Sequence, residues 1–259
     1  MIKLLFLGTG AASVKELYNS CFVINNKEGN LLVDTGGSIE IIERLKYFNI
    51  NKITDIFITH SHTDHILGLF WLLRRIGESR LNVYCNDFVY NAINEIINYL
   101  YSKPTLERIK KSLNIIKLEN KDKKVINGIE YEFFDTYARG IKQYGFKTVI
   151  DGKKFAFFGD EPINSLYYNE FYNYDYVIHE VLCHSKDEDR IKPDKLFHSS
   201  TRMVGEVMNK LNIKNIILIH TIEDNIKERK NLYITDTKKY FSGNVFVPDD
   251  FDIIEVGGK

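Results

Sequence analysis

Short apolar runs bounded by Gly, Asn or Asp dominate the first part of the chain. Residues 3–7, 20–25 and 31–35 each predict a strand. Gly36-Gly37-Ser38 breaks that pattern. Ile39, Ile41, Ile42, Leu45 and Phe48 then recur at helical spacing, which predicts a helix capped by Ser38. Ile56-Phe57-Ile58-Thr59 reads as a short buried strand, and the apolar run from Ile66 to Leu73 as a helix after it. Residues 81–85 predict another strand. Residues 88–113 look helical, with an interruption at Pro104. Beyond Asn114 the strand candidates are 129–135, 145–150, 154–159, 176–179 and 215–220. Val204, Val207, Met208 and Leu211 form a helical stripe that belongs to a core rather than to a recognition face.

Strands alternate with helices in two comparable halves, about 1–113 and 114–259. That order predicts an α/β fold with two sheets packed face to face and helices outside, as a single domain over 1–259. Hydrophobic content of 44% and charged content of 27% suit a globular chain with a sizeable core. Thirty-five basic and 35 acidic side chains cancel, so no global charge attracts nucleic acid or membrane. Leu4-Leu5-Phe6-Leu7 is too short for a signal peptide or a membrane span. Cys21, Cys85 and Cys183 are scattered and odd in number, which suggests no disulfide framework. A cytoplasmic protein is expected, with no membrane partner. Cys183-His184 is read as no metal site, and His184 as an ordinary exposed residue.

The chemistry concentrates in His60-Ser61-His62-Thr63-Asp64-His65. On an extended backbone residues two apart share a side, so His60 and His62 can converge on one point. Asp64 and His65 stand where the next helix begins and can turn toward a second point. Neutral imidazoles with a carboxylate suit Zn²⁺, and also Mn²⁺ or Fe. Three further polar residues end apolar runs: Asp160 after Phe155-Ala156-Phe157-Phe158-Gly159, His179 after Tyr176-Val177-Ile178, and His220 after Ile216-Ile217-Leu218-Ile219. Polar residues just past buried strands line one rim of a sheet, where sites are commonly built.

The histidine motif, Leu7-Gly8-Thr9-Gly10-Ala11-Ala12, Phe158-Gly159-Asp160, His179-Glu180, His198-Ser199-Ser200-Thr201 and Ile219-His220 follow one another in a telling order. Together they resemble the metallo-β-lactamase superfamily, in the branch of ribonuclease Z and related phosphodiesterases. The resemblance implies a four-layer αββα sandwich. It also implies that His60 and His62 hold one metal, that Asp64, His65 and His220 hold a second, and that Asp160 bridges the two. The expected cofactor is Zn²⁺, as one or two ions. His198 would stand near the scissile phosphate as a catalytic acid, Asp64 would also orient the attacking water, and His179-Glu180 would support the site.

One position departs from this pattern. The family supplies a third histidine to the first metal shortly before a Gly-aromatic pair, and anchoring on Tyr144-Gly145-Phe146 places Arg139 there. Arginine has no lone pair to donate. The first metal is then weak or absent, or Asp135 or a water fills the gap, or the alignment of this loop is shifted. Arg139 is alternatively a substrate contact that grips a phosphate oxygen. The expected activity is metal-dependent hydrolysis of a small or generic phosphodiester. Alternatives are a ribonuclease Z-like endonuclease on RNA, a lactone or thioester hydrolase, and a binding member with impaired catalysis. Between Arg139 and Asp160 the chain has no room for an RNA-gripping arm. A homodimer is one allowed assembly.

Overall fold

The computed structural model describes residues 2–256 except Ile76 and Glu78, so the outermost residues of the expected domain, 1 and 257–259, lie outside the described range. The first half contributes β1 (Ile2–Gly8), β2 (Cys21–Asn26), β3 (Gly29–Val33), β4 (Asp55–Ile58), β5 (Leu81–Cys85) and β6 (Leu113–Lys117). Between them run the helices α1 (Ile41–Tyr47), α2 (Thr63–Arg75), α3 (Asp87–Leu100) and α4 (Lys103–Ser112). The rest contributes β7 (Lys123–Ile126), β8 (Ile129–Asp135), β9 (Tyr144–Ile150), β10 (Lys153–Phe157), β11 (Tyr176–Glu180), β12 (Asn215–Ile219), β13 (Asn244–Phe246) and β14 (Ile253–Val256). Its helices are α5 (Glu188–Ile191), α6 (Thr201–Lys210) and α7 (Arg229–Thr237).

Among the described residues these strands form two seven-stranded sheets, β14-β1-β2-β3-β4-β5-β6 and β13-β12-β11-β10-β9-β8-β7. The sheets pack face to face through an aromatic core. Phe22 meets Phe157 with ring centroids 5.3 Å apart, and Phe57 meets Phe133 at 4.9 Å. These rings are almost fully buried, each contributing roughly 1.5–3 kcal/mol on burial. A second apolar cluster lies on the outer side of the first sheet and takes in residues of α1 to α4, and a third joins the outer side of the second sheet to α6 and α7. This is the expected αββα sandwich. None of the described helices is long and apolar enough to cross a membrane.

The halves do not divide cleanly at residue 113. β6 extends the first sheet, and β14 returns to pair antiparallel with β1, Ile2 opposite Val256. Asp250, just before β14, accepts from the Thr9 and Tyr18 backbone N–H groups and pairs with Arg44 at 2.7 Å. Fully buried Arg229 donates to Thr221 and to the Pro248 carbonyl.

Ser38 does not cap α1. Its hydroxyl accepts from the Glu40 N–H and its carbonyl from the Tyr18 hydroxyl, so the helix begins later, with Glu40 at the N-cap. Pro104 sits in the first turn of α4, where a missing N–H costs nothing. The Asn127-Gly128 turn joins β7 to β8 with both residues at positive φ, 48° and 75°, the conformation that suits a two-residue hairpin.

Parallel pairing sets the rim. β3 and β4 run parallel, and so do β10, β11 and β12. Their carboxyl ends therefore finish on common edges.

Candidate metal centre

The residue after β3 is Asp34, and Thr59-His60 follow β4. Asp34 adopts φ 56° and is buried. Its Oδ1 accepts from the Thr59 N–H at 2.8 Å, and its Oδ2 meets the Thr59 hydroxyl at 2.9 Å and His65 Nδ1 at 2.9 Å. This carboxylate fixes two ligand candidates. It holds His65 by Nδ1–H, which leaves Nε2 with its lone pair turned inward. A Thr59 hydroxyl that donates to Asp34 accepts from His60 Nδ1, 2.9 Å away. His60 Nε2 then faces His62 Nδ1 at 3.0 Å. Burial pushes both His60 and His62 below the ordinary imidazole range, so two neutral rings present nitrogen to one point.

Asp64 and His65 occupy the first turn of α2. Asp160 and His220 lie just past β10 and β12 at the facing rim. His65 Nε2 is 2.7 Å from Asp160 Oδ2 and 3.1 Å from Asp64 Oδ2. His220 Nε2 is 2.8 Å from the same Asp160 oxygen and 3.3 Å from Asp64 Oδ2. The four residues each offer one ligand atom, and those atoms lie within 4.8 Å of one another. His220 holds φ 61°, a strained conformation for a side chain of its size. Gly159, at φ 75°, is required: a Cβ there would stand 2.2 Å from Gln143 Oε1, the atom that accepts the Asp160 N–H.

This donor set fits a divalent cation. Buried His65 Nε2 has no hydrogen bond of good geometry despite two carboxylate oxygens close by, so it aims at a shared point rather than at one partner. Among the described residues the ion-pair partners of Asp34, Asp64 and Asp160 are histidines, with no lysine or arginine beside them. Burial opposes charge on His65, but Asp160, Asp64 and Asp34 outweigh it and hold the ring well above its ordinary value. Burial likewise opposes charge on His220, and Asp160 followed by Asp64 raises it to about 10. Against burial, His220 and His65 pull Asp160 far below the carboxylate range.

A second group adjoins this one. Glu180, fully buried at the end of β11, accepts the Ser199 N–H at 2.6 Å and places Oε2 3.5 Å from His198 Nδ1. The His198 ring stacks on His220 with centroids 5.1 Å apart. His179 lies behind them, bonded to the Glu180 carbonyl.

The loop carrying Arg139 is pinned beside Asp160. Glu161 accepts from the Arg139 and Gly140 N–H groups at 2.7 and 2.9 Å. The guanidinium turns away: Nη1 pairs with Asp194 at 3.0 Å, and the plane lies over Phe197. No hydrogen bond or ion pair among the described residues joins it to His60 or His62. Asp135, the other candidate for the gap, uses its carboxylate on the Tyr137 N–H. His184 is a correction: it is buried against Tyr233, centroids 4.0 Å apart, because the segment after β11 folds under α7. Asp34, Gln143 and Glu161 escaped the sequence reading. Asp34 carried the same signal as Asp160, a carboxylate directly after a buried strand.

The sequence profile of the family described as Anti-Pycsar protein Apyc1 matches residues 2–237. The chain belongs to that family. This Apyc1-family chain is also similar to ribonuclease Z of Thermococcus sibiricus, 24% identical over 307 residues that cover 100% of it and 98% of the relative. The alignment is longer than the chain, so that relative carries insertions absent from it. Among solved structures, the metallo-β-lactamase fold protein YhfI of Bacillus subtilis superposes with a TM-score of 0.79 at 17% identity, covering 98% of this chain and 100% of that one. The short form of human tRNase Z does so with a TM-score of 0.73 at 22% identity, covering 98% of each. The fold is that of the metallo-β-lactamase superfamily, and the assignment within it is ribonuclease Z-like.

Proposed function

We propose that the chain is a metal-dependent phosphodiesterase acting on a small phosphodiester. The observation that carries this reading is the meeting of Asp64, His65, Asp160 and His220 within 4.8 Å, beside buried Glu180 and half-buried His198. The ribonuclease Z relatives supply the phosphodiester class. Small size is supported by the short connection between β9 and β10, Asp151-Gly152, where no arm intervenes.

Asp64, His65, Asp160 and His220 would hold one ion tightly, and His60 and His62 with Asp160 would share a second more weakly, since Arg139 gives them no third imidazole. Nitrogen and oxygen donors of this kind favour Zn²⁺ first. A divalent cation supplies charge neutralisation at phosphoryl oxygens and makes water acidic enough to attack near neutral pH. The chain's own residues do the rest. Asp34 orients His65. Asp64 would also align the attacking water. Glu180 Oε2 faces His198 Nδ1 at 3.5 Å, and its charge favours an imidazole that can protonate the departing alkoxide from Nε2. Arg139 belongs with the substrate rather than with the metal. The three buried free cysteines agree with a reducing compartment, and we assign the chain to the cytoplasm.

The deciding experiment compares bis-p-nitrophenyl phosphate, cyclic nucleotides and precursor transfer RNA as substrates of the metal-loaded protein, with Asp160→Ala as control. Turnover of the small esters that requires Asp160 is expected. Activity indifferent to Asp160, or confined to precursor transfer RNA, would overturn the reading.

A further inference from the structure

Alternation along β11 sends Ile178 into the core between the sheets and Val177 and His179 to the outer side, toward α6. Val177 there joins an apolar cluster with Val204 and Met208. His179 brings an imidazole into the same apolar layer, with 1% of its surface exposed. Its Nδ1 lies 2.6 Å from the Glu180 carbonyl. A carbonyl only accepts, so Nδ1 carries the proton and Nε2 keeps a lone pair. Burial holds this ring below the ordinary imidazole range, so it stays neutral. Among the described residues no group donates to Nε2. An acceptor left unpaired in an apolar layer is costly, and an apolar side chain would avoid that cost.

The nitrogen does have room beside it. His179 lines a cleft of about 240 Å³ between β11, α6 and the segment that follows Asp160. Ile163, Val204, Val207 and Met208 make the walls apolar. Ser199 adds a hydroxyl that makes no hydrogen bond among the described residues. Glu206 is the one charged group among the described lining residues, and Arg202 already pairs with it at 3.2 Å. A cavity of about 150 Å³ accepts a benzene ring, so this cleft accepts such a ring with a substituent. Its walls also adjoin the metal centre. Ser199 follows His198, His179 precedes Glu180, and Pro162 lies two residues beyond Asp160.

We propose that this cleft is an effector site for a small neutral ring compound carrying a hydroxyl, of the phenol class. The hydroxyl would donate to His179 Nε2, and the ring would lie against Val204, Val207 and the two methionines. An anion would find no cation among the described lining residues. Occupancy would be felt at His198 through Ser199. Binding stands apart from the phosphodiesterase reading, and only its effect on turnover rests on that reading.

Two of the three methionines, Met203 and Met208, line the cleft and report on it. With methyl-¹³C methionine in the metal-loaded full chain, phenol is expected to shift both methyl resonances saturably. Val207→Trp fills the cleft from a half-buried position on α6 and should abolish those shifts. His179→Phe keeps a ring and removes the acceptor. The affinity ratio of phenol over toluene should then fall ~5- to 150-fold, the cost of one orphaned hydroxyl. Saturating phenol should change kcat on bis-p-nitrophenyl phosphate by ~5-fold or more, the lower end of ordinary coupling between sites, and should leave Val207→Trp unaffected. Resonances that phenol does not move would mean a cleft holding water only, and would overturn the proposal. So would an affinity ratio indifferent to His179→Phe. Binding that leaves kcat unchanged would overturn the effector role. If the wild type does not turn over the ester, the phosphodiesterase reading fails, and the methyl shifts with the His179→Phe ratio judge the cleft by themselves.

Discussion

Replacing Asp34 with Asn isolates the part of the metal centre that never touches the metal. The backbone at Asp34, φ 56°, is one that Asn tolerates, so the swap is nearly isosteric and unstrained. The amide oxygen can still accept the Thr59 N–H. Its NH₂ group, however, would face His65 Nδ1, where the carboxylate oxygen now stands at 2.9 Å. Two donors cannot share that contact, so His65 shifts to the other tautomer. The proton then sits on Nε2, the atom now 2.7 Å from Asp160 Oδ2. A protonated nitrogen cannot ligate. Loss of such an outer carboxylate typically weakens metal binding about 10- to 100-fold. Asp34→Ala differs, because it leaves the Thr59 N–H, the Thr59 hydroxyl and His65 Nδ1 buried without an acceptor. Each orphaned buried group costs about 1–3 kcal/mol, so that variant should lose fold stability as well. Competition against a chromogenic chelator measures the affinity, and urea unfolding in chelator measures the stability of the metal-free chain. Wild-type metal affinity in Asp34→Asn would falsify the idea that this carboxylate sets the His65 tautomer.

Four further outcomes follow from the same geometry. Glu180→Gln and His198→Ala should each lower kcat, by up to about 10²- to 10⁴-fold for the lost proton donor, while metal per chain by elemental analysis stays constant; metal loss in either variant would return them to the ligand set. Arg139→His should leave metal per chain unchanged, because residue 139 turns its side chain toward Asp194; a rise to two tightly held ions would refute that orientation. Gly68 lies against Thr35, whose carbonyl a Cβ would approach to 2.0 Å, so Gly68→Ala should lower the unfolding midpoint by pushing α2 off the first sheet. For Asp236, burial opposes ionisation, but Lys239, Thr201 and Ser185 together hold the carboxyl below its ordinary range. A depressed folded value stabilises above the unfolded value near pH 4 and is lost as acid brings the pH down through the folded one. Denaturant titrations below pH 4 should therefore show a shallower acid limb for Asp236→Asn, and identical limbs would contradict the assignment.

Legibility in the sequence followed local periodicity. β1 to β5, β8 to β12 and α6 were evident because apolar runs with polar ends are a local signal, and the same signal exposed Asp160 and His220. β13 and β14 were missed because each is short and lies at a sheet edge, and β14 is held by a partner at the far end of the chain. β7 is short and lysine-rich, and it too was missed. Pairings were the least readable part. That Asp34 serves His65, that Glu180 reaches His198, and that Glu161 pins the Arg139 loop depend on which rim residues oppose each other across two sheets. His184 showed the same limit in reverse, since nothing local in its segment reveals that Tyr233 will cover it.

The antiparallel match of Ile2 with Val256 sets a timetable for biosynthesis. A ribosome adding about 5–20 residues per second needs roughly 13–50 s to travel from one to the other. Throughout that interval the outer edge of β1 stays open to any passing strand. Metal cannot shorten the wait, because His220 also emerges late. The nascent polypeptide thus carries an unguarded flank for most of its synthesis, and a cell making it quickly would depend on chaperones to keep that flank from pairing with a neighbour.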